Sequence, residues 1–147
     1  MDFKKIINVA LIPTLVLVVL GVINAVLNLV LSEGVLGIIG IVITLGIFAV
    51  SCLVLAYAGY SATKKNKLGL FSAALVGAVA GFVSSIINGI INLVLMFVNP
   101  ATSSITAEGG SLYMVAGGLI AVVIGVIFWF VAAAVLGVIG GFIGQKM

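Results

Sequence analysis

The chain is nearly devoid of charge. Of its 147 residues, six are lysine and three are acidic, while arginine and histidine are absent. Charged residues make up 6% of the sequence, against about 25% in a typical soluble domain. So few cannot cover a water-facing surface. The acids Asp2, Glu33 and Glu108 fall at or beyond the ends of the long apolar runs, and no aspartate, glutamate, histidine or lysine lies inside any run. That excludes the intramembrane carboxylate, histidine or lysine that marks a proton relay or a coupling site. It also leaves Ser51, Ser84 and Ser85 without a base to activate them, so no enzymatic activity is expected. The single cysteine, Cys52, rules out an internal disulfide or a cysteine-based metal site and reads as a small buried hydrophobe. Without arginine, three short lysine clusters do not make the basic stripe that nucleic acid requires. No cofactor or metal is implied.

Apolar residues fill the space left by charge. They make up 65% of the chain, and the mean hydropathy is +1.56. About 20 apolar residues carry a helix across the hydrocarbon core, and four runs are long enough: 6–31, 35–60, 68–98 and 112–143. They lack the strict alternation of a membrane barrel. The expected fold is therefore an all-α integral membrane four-helix bundle, forming a single domain. Pro13 removes one backbone hydrogen bond inside the first run and is expected to bend it. That run is too long for a signal-peptide core and no small-x-small cleavage site follows it, so it reads as an uncleaved first span.

The lysines set the orientation. Lys4 and Lys5 precede the first span, Lys64, Lys65 and Lys67 lie between the second and third, and Lys146 follows the fourth. With four spans all six share one side, and the two opposite loops hold Glu33 and Glu108 but no lysine. Positive charge stays cytoplasmic; the expected location is therefore the cell membrane, with both termini on the cytoplasmic side. Tyr57, Tyr60, Phe71 and Phe142 fall at the inner boundary, and Phe97 and Tyr113 at the outer one, as an aromatic belt does.

The sequence is written twice. Ile23-Asn24-Ala25-Val26-Leu27-Asn28-Leu29-Val30-Leu31 returns 64 positions later as Ile87-Asn88-Gly89-Ile90-Ile91-Asn92-Leu93-Val94-Leu95. The second and fourth spans align less closely, through Gly59-Tyr60 and Gly141-Phe142 at an offset of 82. Residues 1–67 and 68–147 thus read as two tandem hairpins in parallel orientation, expected to be related by a pseudo-twofold axis along the membrane normal. The first hairpin closes through Ser32-Glu33-Gly34, where Glu33 suits the first turn of the next helix. The second closes through a longer hydroxyl- and glycine-rich loop, residues 99–111.

Small residues recur at helical spacing. Ala73, Gly77, Gly81, Ser85 and Gly89 form a small-xxx-small ridge in the third span, with Gly21 and Ala25 as its partial counterpart in the first. Gly117, Ala121 and Gly125, then Gly137 and Gly141, continue the pattern in the fourth. Between membrane helices there is no hydrophobic drive, so such ridges hold helices together by close van der Waals contact.

Asn24 and Asn28 are one helical turn apart, as are Asn88 and Asn92, and all four fall in the outer half of the bilayer. An unpaired amide in hydrocarbon is costly, so these side chains must meet partners. Two readings stand: interhelical hydrogen bonding, or a neutral polar site that coordinates a cation or lines a water path, with Thr14 and Ser84 adding hydroxyls. Trp129, within Phe128-Trp129-Phe130, is either a packing residue or a stacking platform for a lipid or isoprenoid.

At the inner link, Tyr57-Ala58-Gly59-Tyr60-Ser61-Ala62-Thr63-Lys64-Lys65-Asn66-Lys67-Leu68-Gly69 leads into Ala74-Leu75-Val76-Gly77-Ala78-Val79-Ala80-Gly81. With the terminal Gly140-Gly141-Phe142-Ile143-Gly144, this resembles a group of small uncharacterised prokaryotic four-span membrane proteins. Those proteins carry a Gly-aromatic pair, a basic cytoplasmic link and a Gly-xxx-Gly helix; the arginines often seen in their link are lysines here. The resemblance implies the four-span fold and no activity. The leading functional expectation is a non-enzymatic accessory component, self-associating or bound to a larger membrane complex through its glycine faces, with the bilayer as its surroundings. The others are a homo-oligomeric pore or carrier for a neutral solute or monovalent cation, and a lipid-binding protein.

Overall fold

A computed structural model of the chain describes the backbone at residues 3–31, 34–98 and 111–147, and side chains at 3–31, 38–95 and 116–147. The expectations for Asp2, Glu33, Glu108, the loop around 99–110 and the side chains of Phe97 and Tyr113 lie outside the described residues. Four helices make up the structure: α1 (Phe3–Val30), α2 (Gly34–Lys64), α3 (Leu70–Val98) and α4 (Ser111–Lys146). All four are long and apolar enough to cross a membrane. At about 1.5 Å per residue they run to roughly 42–54 Å, more than a hydrocarbon core of about 30 Å requires, so they tilt or protrude. The helix α1 continues through Pro13, which is buried.

The ends differ from expectation in one useful place. Ser61, Ala62, Thr63 and Lys64, which read as part of a polar link, are the last turn of α2. Ala62 and Thr63 are buried there, because Thr63 Oγ1 finds carbonyl acceptors at Tyr60 (3.2 Å), Gly59 (3.3 Å) and, across the interface, Gly141 of α4 (3.1 Å). The link itself is short. Lys67 turns the chain in a left-handed conformation (φ 52°), and the amide of Leu68 closes the turn on the Ala62 carbonyl at 3.0 Å.

Packing is tight at the end that carries the termini. A core of small side chains gathers there, with Ala10 of α1, Ala58 and Ala62 of α2, Ala73 and Ala80 of α3 and Ala133 of α4 around Ile6, Leu55 and Val76. Glycines let the backbones meet. In the antiparallel pair α3–α4, a Cβ on Gly77 would strike the Ala133 carbonyl, and one on Gly137 would come within 2.6 Å of the Ala73 carbonyl. In the parallel pair α2–α4, Cβ atoms on Gly59 and Gly140 would strike the carbonyls of Gly137 and Ala56. With no hydrophobic drive between helices in lipid, the van der Waals packing that such close backbone contact allows is what holds membrane helices together.

The order around the bundle is α1, α3, α4, α2, with α2 and α3 touching across the short diagonal and no comparable interface between α1 and α4. This corrects the expected symmetry. A twofold axis along the normal would set α1 opposite α3 and make α1–α4 equivalent to α2–α3. Instead α1 and α3 are neighbours, and the two hairpins lie side by side in one orientation. Where those two helices meet, the Asn88 side chain of α3 occupies the space beside Gly21 of α1.

Helix directions bring all six lysines to one end. Three described ammonium groups there lie over aromatic rings: Lys64 over Tyr60 at 5.3 Å, Lys65 over Tyr57 at 5.6 Å and Lys146 over Phe142 at 4.5 Å. Lys65 Nζ also donates to the Tyr57 hydroxyl at 3.0 Å. That hydrogen bond, helped by the electrostatic pull of the same phenol, raises the Lys65 pKa above the ordinary lysine value.

Candidate intramembrane cavity

Away from the lysine end the four helices diverge and line a partly open cavity of about 470 Å³. Its polar wall comes from the asparagine face: Asn24 on α1, Thr44 and Ser51 on α2, Ser84, Asn88 and Asn92 on α3. Its apolar wall is largely α4, through Ala121, Val122, Gly125 and Trp129. The indole of Trp129 lies against Phe48 of α2, ring centroids 5.6 Å apart and tilted by 54°.

The two copies of the Asn-xxx-Asn motif share one internal feature. Asn28 Nδ2 donates to the Asn24 carbonyl at 2.9 Å, and Asn92 Nδ2 donates to the Asn88 carbonyl at 2.9 Å. In each, the second asparagine is tied to the backbone one turn earlier. The first asparagines differ. Asn24 Oδ1 accepts the Thr44 hydroxyl at 2.9 Å, and Thr44 Oγ1 in turn accepts Asn28 Nδ2 at 3.4 Å. One threonine thereby binds α1 to α2 and satisfies the amide oxygen of Asn24. Asn88 has no such partner: its Nδ2 makes a long 3.3 Å bond to the Leu17 carbonyl of α1, and its buried Oδ1 has no donor among the described residues.

The remaining expected residues divide between packing and open space. Ala73, Gly77, Gly81 and Gly89 of the α3 ridge face α4, with a Gly81 Cβ set to meet Ala133 and a Gly89 Cβ set to meet Val122. Gly137 and Gly141 are packed as well, the latter against Ala73 and Thr63. Ala25 is buried. Ser85 borders the cavity while bonded to the Phe82 carbonyl at 2.9 Å. By contrast, nothing lies within 4 Å of a Cβ built on Gly117 or Gly125, and Ala121 is exposed. Thr14 donates to the Ala10 carbonyl of its own helix at 2.7 Å and does not line the cavity.

Sequence reasoning passed over Thr44 and gave Gly59, Gly140 and Gly144 no packing role. Thr44 had a readable signal. It stands ten positions after Gly34 while Asn24 stands ten before it, and a tight antiparallel hairpin puts such mirror positions side by side. Replacing Thr44 by valine keeps the shape and removes the donor. The expected loss is about 0.6 kcal/mol, up to roughly 1.7, measured by denaturant unfolding in mixed micelles. An unchanged midpoint would mean that Asn24 does not depend on this hydroxyl.

Comparison with family models, curated proteins and solved structures finds no match to this chain.

Proposed function

We propose that this chain is a non-enzymatic membrane protein that holds a small, neutral, lipid-soluble molecule between its four helices. The observation that carries the reading is the cavity. Its volume of about 470 Å³ falls within the range of roughly 300–1,000 Å³ typical of ligand sites, where a mostly apolar lining surrounds a few polar groups. Every polar group on the wall is an amide, a hydroxyl or the indole N–H of Trp129. Such a lining has no charge to offset that of an ion and no base for chemistry, which suits a neutral head on an apolar body.

The accessory reading draws less support from the packing. Gly77, Gly81, Gly137 and Gly141, on the faces that were expected to receive partners or a second copy, are spent on contacts within the bundle. The shared end of the six lysines and the aromatic residues beneath three of them support a cytoplasmic location for both termini in the cell membrane.

Trp129 is the only tryptophan in the chain and it borders the cavity, so its fluorescence reports occupancy. In nanodiscs of unbrominated lipid, dibromostearyl alcohol is expected to quench Trp129 along a saturable curve. Quenching that rises only linearly with probe, as contact with bulk lipid gives, would refute the reading.

A further inference from the structure

The duplication supplies an internal control that shows what the second hairpin lacks. In the first, the amide oxygen of Asn24 is satisfied by a hydroxyl from the facing helix. In the second, the equivalent Asn88 packs against α1 beside Gly21, where, among the described residues, only the Leu17 carbonyl bonds its side chain. The neighbouring Gly89 meets α4 at Val122, and α4 offers no hydroxyl there: no serine, threonine, asparagine or glutamine occurs in it from Ala116 to Gly144. The same motif therefore ends in a satisfied amide oxygen in one copy and an orphan acceptor in the other. A buried acceptor without a donor carries the full desolvation cost of its group, and in the bilayer interior there is no water to relieve it.

The geometry points to a lipid-soluble alcohol as the cavity's ligand, its hydroxyl donating to Asn88 Oδ1 in the place that the Thr44 hydroxyl takes beside Asn24. This rests on the cavity reading above and names the chemistry of its occupant. Three features fit. Asn88 borders the cavity, so a molecule inside it meets this side chain. The bond that now holds the amide, 3.3 Å to the Leu17 carbonyl, is beyond the usual 2.7–3.2 Å range and is cheaply exchanged. The oxygen is buried against α1, and the terminal torsion of asparagine is broad and soft, so a turn of the amide presents it to the cavity. A hydroxyl is the matching group: it brings one donor for Oδ1 and keeps acceptor capacity for the remaining amide hydrogens.

A matched pair of probes isolates the donor. Dibromostearyl alcohol and its methyl ether share bromines and chain and differ in the O–H. With the wild-type protein in nanodiscs, the alcohol is expected to saturate the quenching of Trp129 at a concentration up to about tenfold below that of the ether, the effect of one neutral hydrogen bond. Asn88→Leu is expected to bring the alcohol to the level of the ether. Equal saturation by both probes on the wild-type protein overturns the assignment of the donor while leaving a cavity that binds apolar bodies. Unsaturable quenching by both overturns the cavity reading and the assignment with it. The wild-type comparison decides the matter even where Asn88→Leu does not fold.

Discussion

Gly140→Ala is expected to destabilise the bundle by about 3 kcal/mol, the upper part of the range for forcing a methyl group into a filled contact. The added Cβ would fall on the Ala56 carbonyl of α2. A carbonyl in the middle of a helix has no rotamer to escape into, so α2 and α4 must separate along the segment where Gly59 also meets Gly137 and Gly144 meets Tyr60 and Thr63. Gly46→Ala is the control. Nothing lies within 4 Å of its added methyl, and alanine is favoured over glycine in a helix by up to about 1 kcal/mol, so this variant holds or gains stability. Denaturant titration in mixed micelles, followed by circular dichroism, reads both. Equal midpoints for the two variants would show that the backbone contact between α2 and α4 does not hold the fold.

Gly125→Leu should leave the fold intact and remove the binding site. Gly125 borders the cavity and its Cβ direction is open, so a leucine there projects into the space that a ligand would occupy. The helix gains a better helix former, by about 1 kcal/mol, and the cavity wall gains dispersion contacts that it lacks. A molecule forced to compete with that side chain loses about tenfold or more in affinity, the equivalent of the 1–3 kcal/mol that overpacking costs. The readout is the saturable quenching of Trp129, with thermal unfolding measured alongside. Wild-type binding by a folded Gly125→Leu protein would place the ligand elsewhere, on the lipid-facing surface. The two glycine substitutions thus carry opposite signs for stability, although both glycines lie in α4 fifteen positions apart.

That contrast marks how far the sequence could be read. Gly125 and Gly137 both belong to small-residue series, and the spacing alone gives them equal standing. In the structure Gly137 touches the backbones of two neighbouring helices, while Gly125 faces a void. Small-xxx-small spacing says that a close approach is possible; whether a helix arrives there depends on where its neighbours lean. Asn24 and Asn88 teach the same lesson. Their motifs are nearly identical, and what separates them is Thr44, a residue on a different helix. The short first link fixes its hairpin register closely enough that Thr44 could have been found by counting from Gly34, whereas the longer connection between α3 and α4 leaves the position opposite Asn88 open.

Composition and the order of residues by themselves determined that four apolar helices cross a bilayer in two like hairpins, because an unsatisfied backbone in lipid leaves helices as the only open solution for such runs. They also determined that the six lysines share one end, since four crossings admit no other arrangement. Only the tertiary structure decided that the hairpins lie side by side without twofold symmetry, that the glycines of one half of the bundle are consumed in contact while the other half opens into a cavity, and that Asn88 keeps a buried acceptor without a donor among the described residues. The reason is physical. Crossing the membrane is a property of each segment's own atoms against lipid, while packing, voids and orphan groups are differences between competing close contacts that no segment specifies alone.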